Sequence, residues 1–277
     1  MEKLTCILAI VDQGKEGLVV LDKAVAIARR FGARVELMVP DFVQMLPFAR
    51  RCTELGYDQV TLSGITCGRT PQHELIVKRV LAVNPDLILK ARGEGSAPDA
   101  LADRDWQLAT ECPVPVMLVC RTPWAIPTRF ATALDLENDE AERLARVILH
   151  TAGFLALGCR GNLDILYSER EQNDERLRME RAVKLSQLVR EFHVGCERIQ
   201  MYSGAPEDRL PPLAAARQYD VLILGLKRAD ADRHSHRSAF VTRMTERAGS
   251  DLVLVRSADT VPRHSGARAP FTLQATP

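Results

Sequence analysis

The sequence contains no run of apolar residues approaching the roughly 18 that a membrane-spanning helix requires. It also has no excess of charge. Its 37 Lys and Arg balance 36 Asp and Glu to a net charge of +1, which removes the electrostatic case for nucleic acid or an anionic membrane as an obligatory partner. Its seven cysteines (6, 52, 67, 112, 120, 159 and 196) are odd in number, and none forms a C-x-x-C pair. That spacing disfavours a disulfide framework or a zinc knuckle and favours reduced thiols acting as small apolar side chains. Met1-Glu2-Lys3-Leu4-Thr5-Cys6 runs into a strand-like segment with no signal-peptide pattern, so a cytoplasmic location is expected. The motifs G-x-S-x-G, GxxxxGK[ST] and H-E-x-x-H are absent, as is G-x-G-x-x-G after the first strand, so no familiar catalytic signature is present.

What is present is a duplication. At 277 residues the chain exceeds the usual size of one domain, and its halves read alike. Leu4–Val11 is a continuous apolar run ending at Asp12, and Arg129–Leu134 ends likewise at Asp135. Short apolar runs without alternation are the pattern of strands covered on both faces. Each run precedes an amphipathic helix, expected over Gly17–Phe31 and Asp139–Gly153, with Gly32 and Gly153 in C-cap positions. Second strands follow at Arg34–Val39 and Leu163–Tyr167. The halves then diverge: a long polar helix is expected over about Asn173–Phe192, against a short or irregular one within Phe42–Glu54.

They converge again at third strands (Gln59–Ile65 and Arg198–Ser203) and at the turns Gly68-Arg69-Thr70-Pro71 and Gly204-Ala205-Pro206. The fourth strands are close copies, Asp86-Leu-Ile-Leu and Asp220-Val-Leu-Ile-Leu. The last strands are Pro115–Val119 and Asp251–Val255. Strand alternating with helix implies right-handed crossovers and open parallel sheets with helices on both faces. The expected organisation is a first domain over 1–121, a proline-stiffened linker over 122–128, a second domain over 129–258 and a disordered tail over 259–277. Trp124 is expected in the junction.

Carried by the Asp-ended first strands, the Gly-Pro turns and the segment Asp105-Trp106 through Cys112-Pro113-x-Pro115, the chain resembles the universal stress protein family, specifically its tandem, E-type members. The resemblance implies two Rossmann-like domains related by a pseudo-twofold axis. It also implies that their last strands pair within one chain, Val114–Val119 against Leu252–Val255, with a further homodimer open.

ATP-binding relatives carry G-x2-G-x9-G-[S/T] after the fourth strand, where glycines let backbone amides approach phosphate. The second half keeps this frame as Gly225, Arg228 and Ser238-Ala239, with only the first glycine retained. In the first half the frame reads Ala91, Glu94 and Arg104-Asp105, which excludes a phosphate path. Asp12 and Asp135 stand where such relatives contact adenine; for Asp12 a local turn or helix cap is the favoured reading, and for Asp135 the two readings are even. The low-glycine site of the second half is therefore Asp135, Gly225, Arg228 and Ser238, with ATP as the candidate ligand.

Asp232, His234 and His236, with Asp230, alternate in one loop and are weak metal candidates against the reading of a solvated polar loop. Cys67 and Cys112 lie near element ends, and inert buried thiols are the favoured reading. His73 at a helix start reads as polar surface or a cap. Two functions follow: a non-catalytic stress-response protein acting through a small ligand or protein partner, or an ATP sensor using the second domain only. No cofactor is required by the first.

Overall fold

The computed structural model describes residues 3–11, 14–39, 45–64, 73–93, 102–169, 175–192, 196, 198–217, 219–227, 239–247 and 249–256. The first half runs β1 (Cys6–Ile10), α1 (Lys15–Phe31), β2 (Arg34–Val39), α2 (Met45–Leu55), β3 (Val60–Gly64), α3 (His73–Val83), β4 (Leu87–Ala91), α4 (Asp103–Glu111) and β5 (Val116–Val119). The second runs β6 (Arg129–Leu134), α5 (Asp139–Gly158), β7 (Asn162–Glu169), α6 (Glu175–Glu191), β8 (Arg198–Ser203), α7 (Pro206–Arg217), β9 (Val221–Leu226), α8 (Ala239–Arg247) and β10 (Asp251–Arg256).

The parallel sheets of the two halves join through their last strands, as the resemblance implied. Ten strands follow in the order β3-β2-β1-β4-β5-β10-β9-β6-β7-β8, which is unchanged when the halves are exchanged. Pairing is parallel within each half and antiparallel only at the centre, where Leu252, Val253 and Leu254 face Leu118, Met117 and Val116. The pseudo-twofold therefore lies between β5 and β10. Each last strand covers an edge that would otherwise invite association.

Helices α1, α2, α5 and α6 pack on one face of the sheet, around Val20, Leu21, Phe48, Leu149 and Leu185. Helices α3, α4, α7 and α8 cover the other, around Ile76, Trp106, Leu210 and Met244. Burial on both faces explains the unalternating strands. Ile7, Leu8 and Ile10 point to opposite sides yet are fully enclosed, each such side chain contributing about 1.5–3 kcal/mol.

The duplicated aspartates before the fourth strands have matching roles. Asp86 accepts from the backbone N–H groups of Thr5 (2.6 Å) and Cys6 (3.0 Å). Asp220 accepts from those of Ala125 (3.0 Å) and Arg129 (2.7 Å). Each carboxylate thus fastens the start of the first strand to the start of the fourth in its own half, pairs at least 80 residues apart in sequence.

Two expected boundaries are corrected, and one open alternative is decided. Gly153 is not a C-cap: α5 continues to Gly158 and is capped at Cys159. The helix persists because its apolar face persists. Phe154 stacks on Phe31 of α1 at 4.9 Å, and a Cβ on Gly158 would fall 1.9 Å from the same ring, so only glycine permits this approach between the halves. Gly32, by contrast, is the left-handed cap of α1 that its position predicts. Of the two alternatives for the second helix of the first half, the short one holds: α2 has 11 residues against the 17 of α6. Strand β7 extends on both sides of the expected segment, over Asn162–Glu169. The segments 65–72, 228–238 and 257–277, which hold the first Gly-Pro turn, the charged loop and the expected tail, lie outside the described residues.

Candidate ligand sites at the strand ends

In open parallel sheets ligands settle outside the carboxyl ends of the strands where the order switches direction. Here that is between β1 and β4 in the first half, and between β6 and β9 in the second.

In the first half, Lys90 pairs alongside Ile10 at the end of β4, and its side chain turns towards α4. Its ammonium donates to Asp105 Oδ1 at 2.8 Å and to the Ala91 carbonyl at 3.1 Å. The other carboxylate oxygen accepts from the Gly93 N–H at 2.7 Å. The Lys90 side chain is 12% exposed and that of Asp105 0%. Asp105 also stands in the first turn of α4, where the helix dipole favours negative charge. The buried carboxylate at these strand ends is that of Asp105. Glu94, to which the sequence pointed, lies outside the described residues, as does Asp12.

In the second half the equivalents of Lys90, Gly93 and Asp105 are Leu224, Lys227 and Ala239, so the buried ion pair has no counterpart in residue type. The charges lie further out. Lys227 donates to Asp135 Oδ2 at 2.5 Å, with side chains 46% and 33% exposed. Asp135 Oδ1 accepts from the Glu137 N–H at 2.9 Å, closing a local turn. Helix capping falls to Asn138, whose side chain accepts from the Ala141 N–H at 2.9 Å, an arrangement worth about 1 kcal/mol. Lys227 was missed in the sequence. The only clue to it was a cation two residues beyond Gly225, inside a segment judged for glycines.

Gly225 has a packing reason for being glycine. A Cβ there would lie 2.6 Å from Ile148 Cδ1 and 2.8 Å from Leu144, both on α5. Arg228 and Ser238, the other members of the glycine-poor frame, lie outside the described residues, as do the metal candidates Asp232, His234 and His236. Among the described residues, no group of three His, Cys, Asp or Glu side chains could hold a metal ion.

The junction carries a second buried charge pair. Lys23 of α1 donates to both oxygens of Asp251 (2.9 and 2.7 Å) and to the carbonyls of Cys120 and Thr122. Asp251 also accepts from the Cys120 N–H and from Trp124 Nε1, each at 2.7 Å. Trp124 is thus in the junction as expected, with the Lys23 ammonium 5.5 Å from its ring centroid. At the opposite, N-terminal ends of the strands, Asp164 accepts from the hydroxyl of Tyr219 (2.7 Å) and from Gln200 (3.2 Å). Burial, then this carboxylate, pushes the Tyr219 phenol up. This network is satisfied internally and remote from the clefts.

Burial pushes the Cys112 thiol up to about 12 and that of Cys159 to about 11, leaving both protonated and inert at neutral pH. Cys67 lies outside the described residues. Among the described residues no helix is long and apolar enough to cross a membrane.

No family model matches the chain. It is 24% identical over 173 residues to universal stress protein E of Salmonella typhi, covering 55% of each chain. To universal stress protein E of Photorhabdus laumondii it is 20% identical over 276 residues, covering 79% of this chain and 84% of that protein. The chain thus spans about half the length of the Salmonella relative it matches. A crystal structure from Pseudomonas aeruginosa UCBPP-PA14, provisionally assigned as a universal stress protein, superposes with a TM-score of 0.76 at 18% identity, covering 93% of this chain and 95% of that one. At that identity the likeness establishes the fold. The symmetric strand order, the paired last strands and these relatives make the chain similar, in sequence and in fold, to universal stress proteins of the E type.

Proposed function

We propose that this chain is a non-catalytic stress-response protein of the cytoplasm whose second domain, 129–258, alone offers an exchangeable site for a small anionic ligand. The observation that supports this reading is the contrast at the strand ends. The first half fills the position with Lys90 and Asp105, side chains 12% and 0% exposed, whereas Lys227 and Asp135 meet at the surface, 46% and 33% exposed. An arriving phosphoryl group would take Lys227 from Asp135, leaving the carboxylate to accept from a base or ribose. ATP is the ligand to test first. If it binds without turnover, the sensor reading takes precedence over protein-partner binding alone.

Calorimetric titration of the full chain with Mg-ATP tests this. The expected outcome is one site per chain, weakened about tenfold in Lys227→Met through loss of a charge-assisted hydrogen bond, with no ADP released. Two sites per chain, or equal binding by Lys227→Met, would overturn it. Silence at millimolar ATP would move the function to a protein partner.

A further inference from the structure

The Lys90–Asp105 pair is usually what a core avoids. Removing two charges from water costs several kcal/mol per ion, and apolar residues of similar volume serve stability as well or better. Its geometry is that of an anion held in a cradle. One oxygen meets an ammonium at 2.8 Å and the other a backbone N–H at 2.7 Å. The residue donating that N–H is glycine, approached so closely that a Cβ on Gly93 would lie 3.2 Å from the carboxylate oxygen. A buried lysine, a main-chain donor and a glycine that lets an oxyanion come near are the parts of a small anion site, here with the anion supplied by the chain.

We propose that the first domain holds an oxyanion site closed from within: Asp105 is its covalently tethered ligand, and a free carboxylate takes its place when the side chain is removed. The tether gives the internal carboxylate an effective concentration that a free anion does not match, so the natural protein keeps this site shut. This explains why one fold, used twice, would offer a single exchangeable site. The inference concerns the first domain only and stands whether or not the second binds nucleotide.

The test is chemical rescue. Asp105→Ala leaves Lys90 and the Gly93 N–H without their anion while keeping a Cβ, so the void matches formate. Its melting temperature is expected to fall by about 10 °C, and formate, titrated against chloride at constant ionic strength, should restore part of the loss saturably. Wild type should show no saturable response. Lys90→Met/Asp105→Ala, which removes the cation as well, should also show none. If Asp105→Ala does not fold unaided, the yield of refolding from urea is read instead, and a formate-dependent recovery supports the proposal. Equal behaviour in formate and chloride, failure to refold in either, or rescue that persists without Lys90 would overturn it. Because no nucleotide is used, failure here leaves the second-domain reading untouched, and failure of ATP titration leaves this one untouched.

Discussion

At the ends of β1 and β4 the first half buries its charges, and at the ends of β6 and β9 the second half leaves them at the surface. The backbone frame is the same on both sides, down to the matching roles of Asp86 and Asp220. The difference therefore lies in side chains, and it separates two demands. Matched positions that tie strands together serve folding in both halves, while the positions facing the cleft have diverged. Fold alone does not assign a ligand, and here two copies of one fold carry different charge pairs at the strand ends.

The largest break in the symmetry is at the junction. Asp251 begins β10, where the first half has Pro115, and it gathers Lys23, Cys120 and Trp124 from the first half and the linker. Asp251→Ala should cost about 3–5 kcal/mol, because it strands a buried ammonium. Asp135→Ala, which removes a partly exposed pair, should cost about 0–1 kcal/mol. Urea unfolding of the two variants side by side checks this. If they lose equal stability, burial is not what distinguishes the pairs.

A second, smaller effect sharpens the same comparison at Gly225 and Ala91, which occupy equivalent places in β9 and β4. Ala91 carries its Cβ without difficulty, being buried at 7% exposure, whereas a Cβ at Gly225 would collide with Ile148 and Leu144. Gly225→Ala should therefore destabilise by about 1–3 kcal/mol, although adding a Cβ within a strand ordinarily helps. Gly225→Ala/Ile148→Val, which deletes the Cδ1 in the way, should recover part of that loss in the same unfolding assay. Full tolerance of Gly225→Ala would return the glycine to a role in the loop.

Much of this fold was readable in the sequence for a physical reason. A strand buried on both faces must be apolar throughout, so Leu4–Val11, Asp86–Lys90 and Asp251–Val255 stand out without an alignment. The antiparallel seam followed once the resemblance was recognised. The end of α5 was not readable, because Gly153 has the composition of a cap while Phe154 meets its partner Phe31 more than a hundred residues away. The buried pairs were equally hidden. Lys23 and Asp251 are 228 residues apart. Lys90 and Asp105 are only 15 apart, but they sit on a strand and a helix, where no periodicity links them. Of the candidate site, Asp135 and Gly225 were named from the sequence and have local packing and turn roles in the structure, while Lys227 emerged only from the geometry.

The smallest expected effect separates the first helices of the two halves. α5 opens on Asp139, Glu140 and Glu142, whereas α1 has only Glu16 in its first turn. Glu142 meets Lys184 of α6 and Arg146 one turn along its own helix. The hydrogen bond from Lys184, above all, holds its carboxyl below the ordinary carboxylate value. A carboxyl lowered in the folded state contributes stability above its unfolded value and loses it as pH falls through the folded one. Wild type should therefore lose stability on acidification below about pH 4.5, with Glu142→Gln showing a shallower acid limb and near-identical stability slope at neutral pH. Val19 holds the matching place on α1, so Val19→Gln should leave the steepness of that limb unchanged. If Glu142→Gln and wild type lose stability in parallel from neutral pH to the acid transition, the α5–α6 ion pairs add nothing to folding, and the second half's extra surface charge would have to be explained by what it binds.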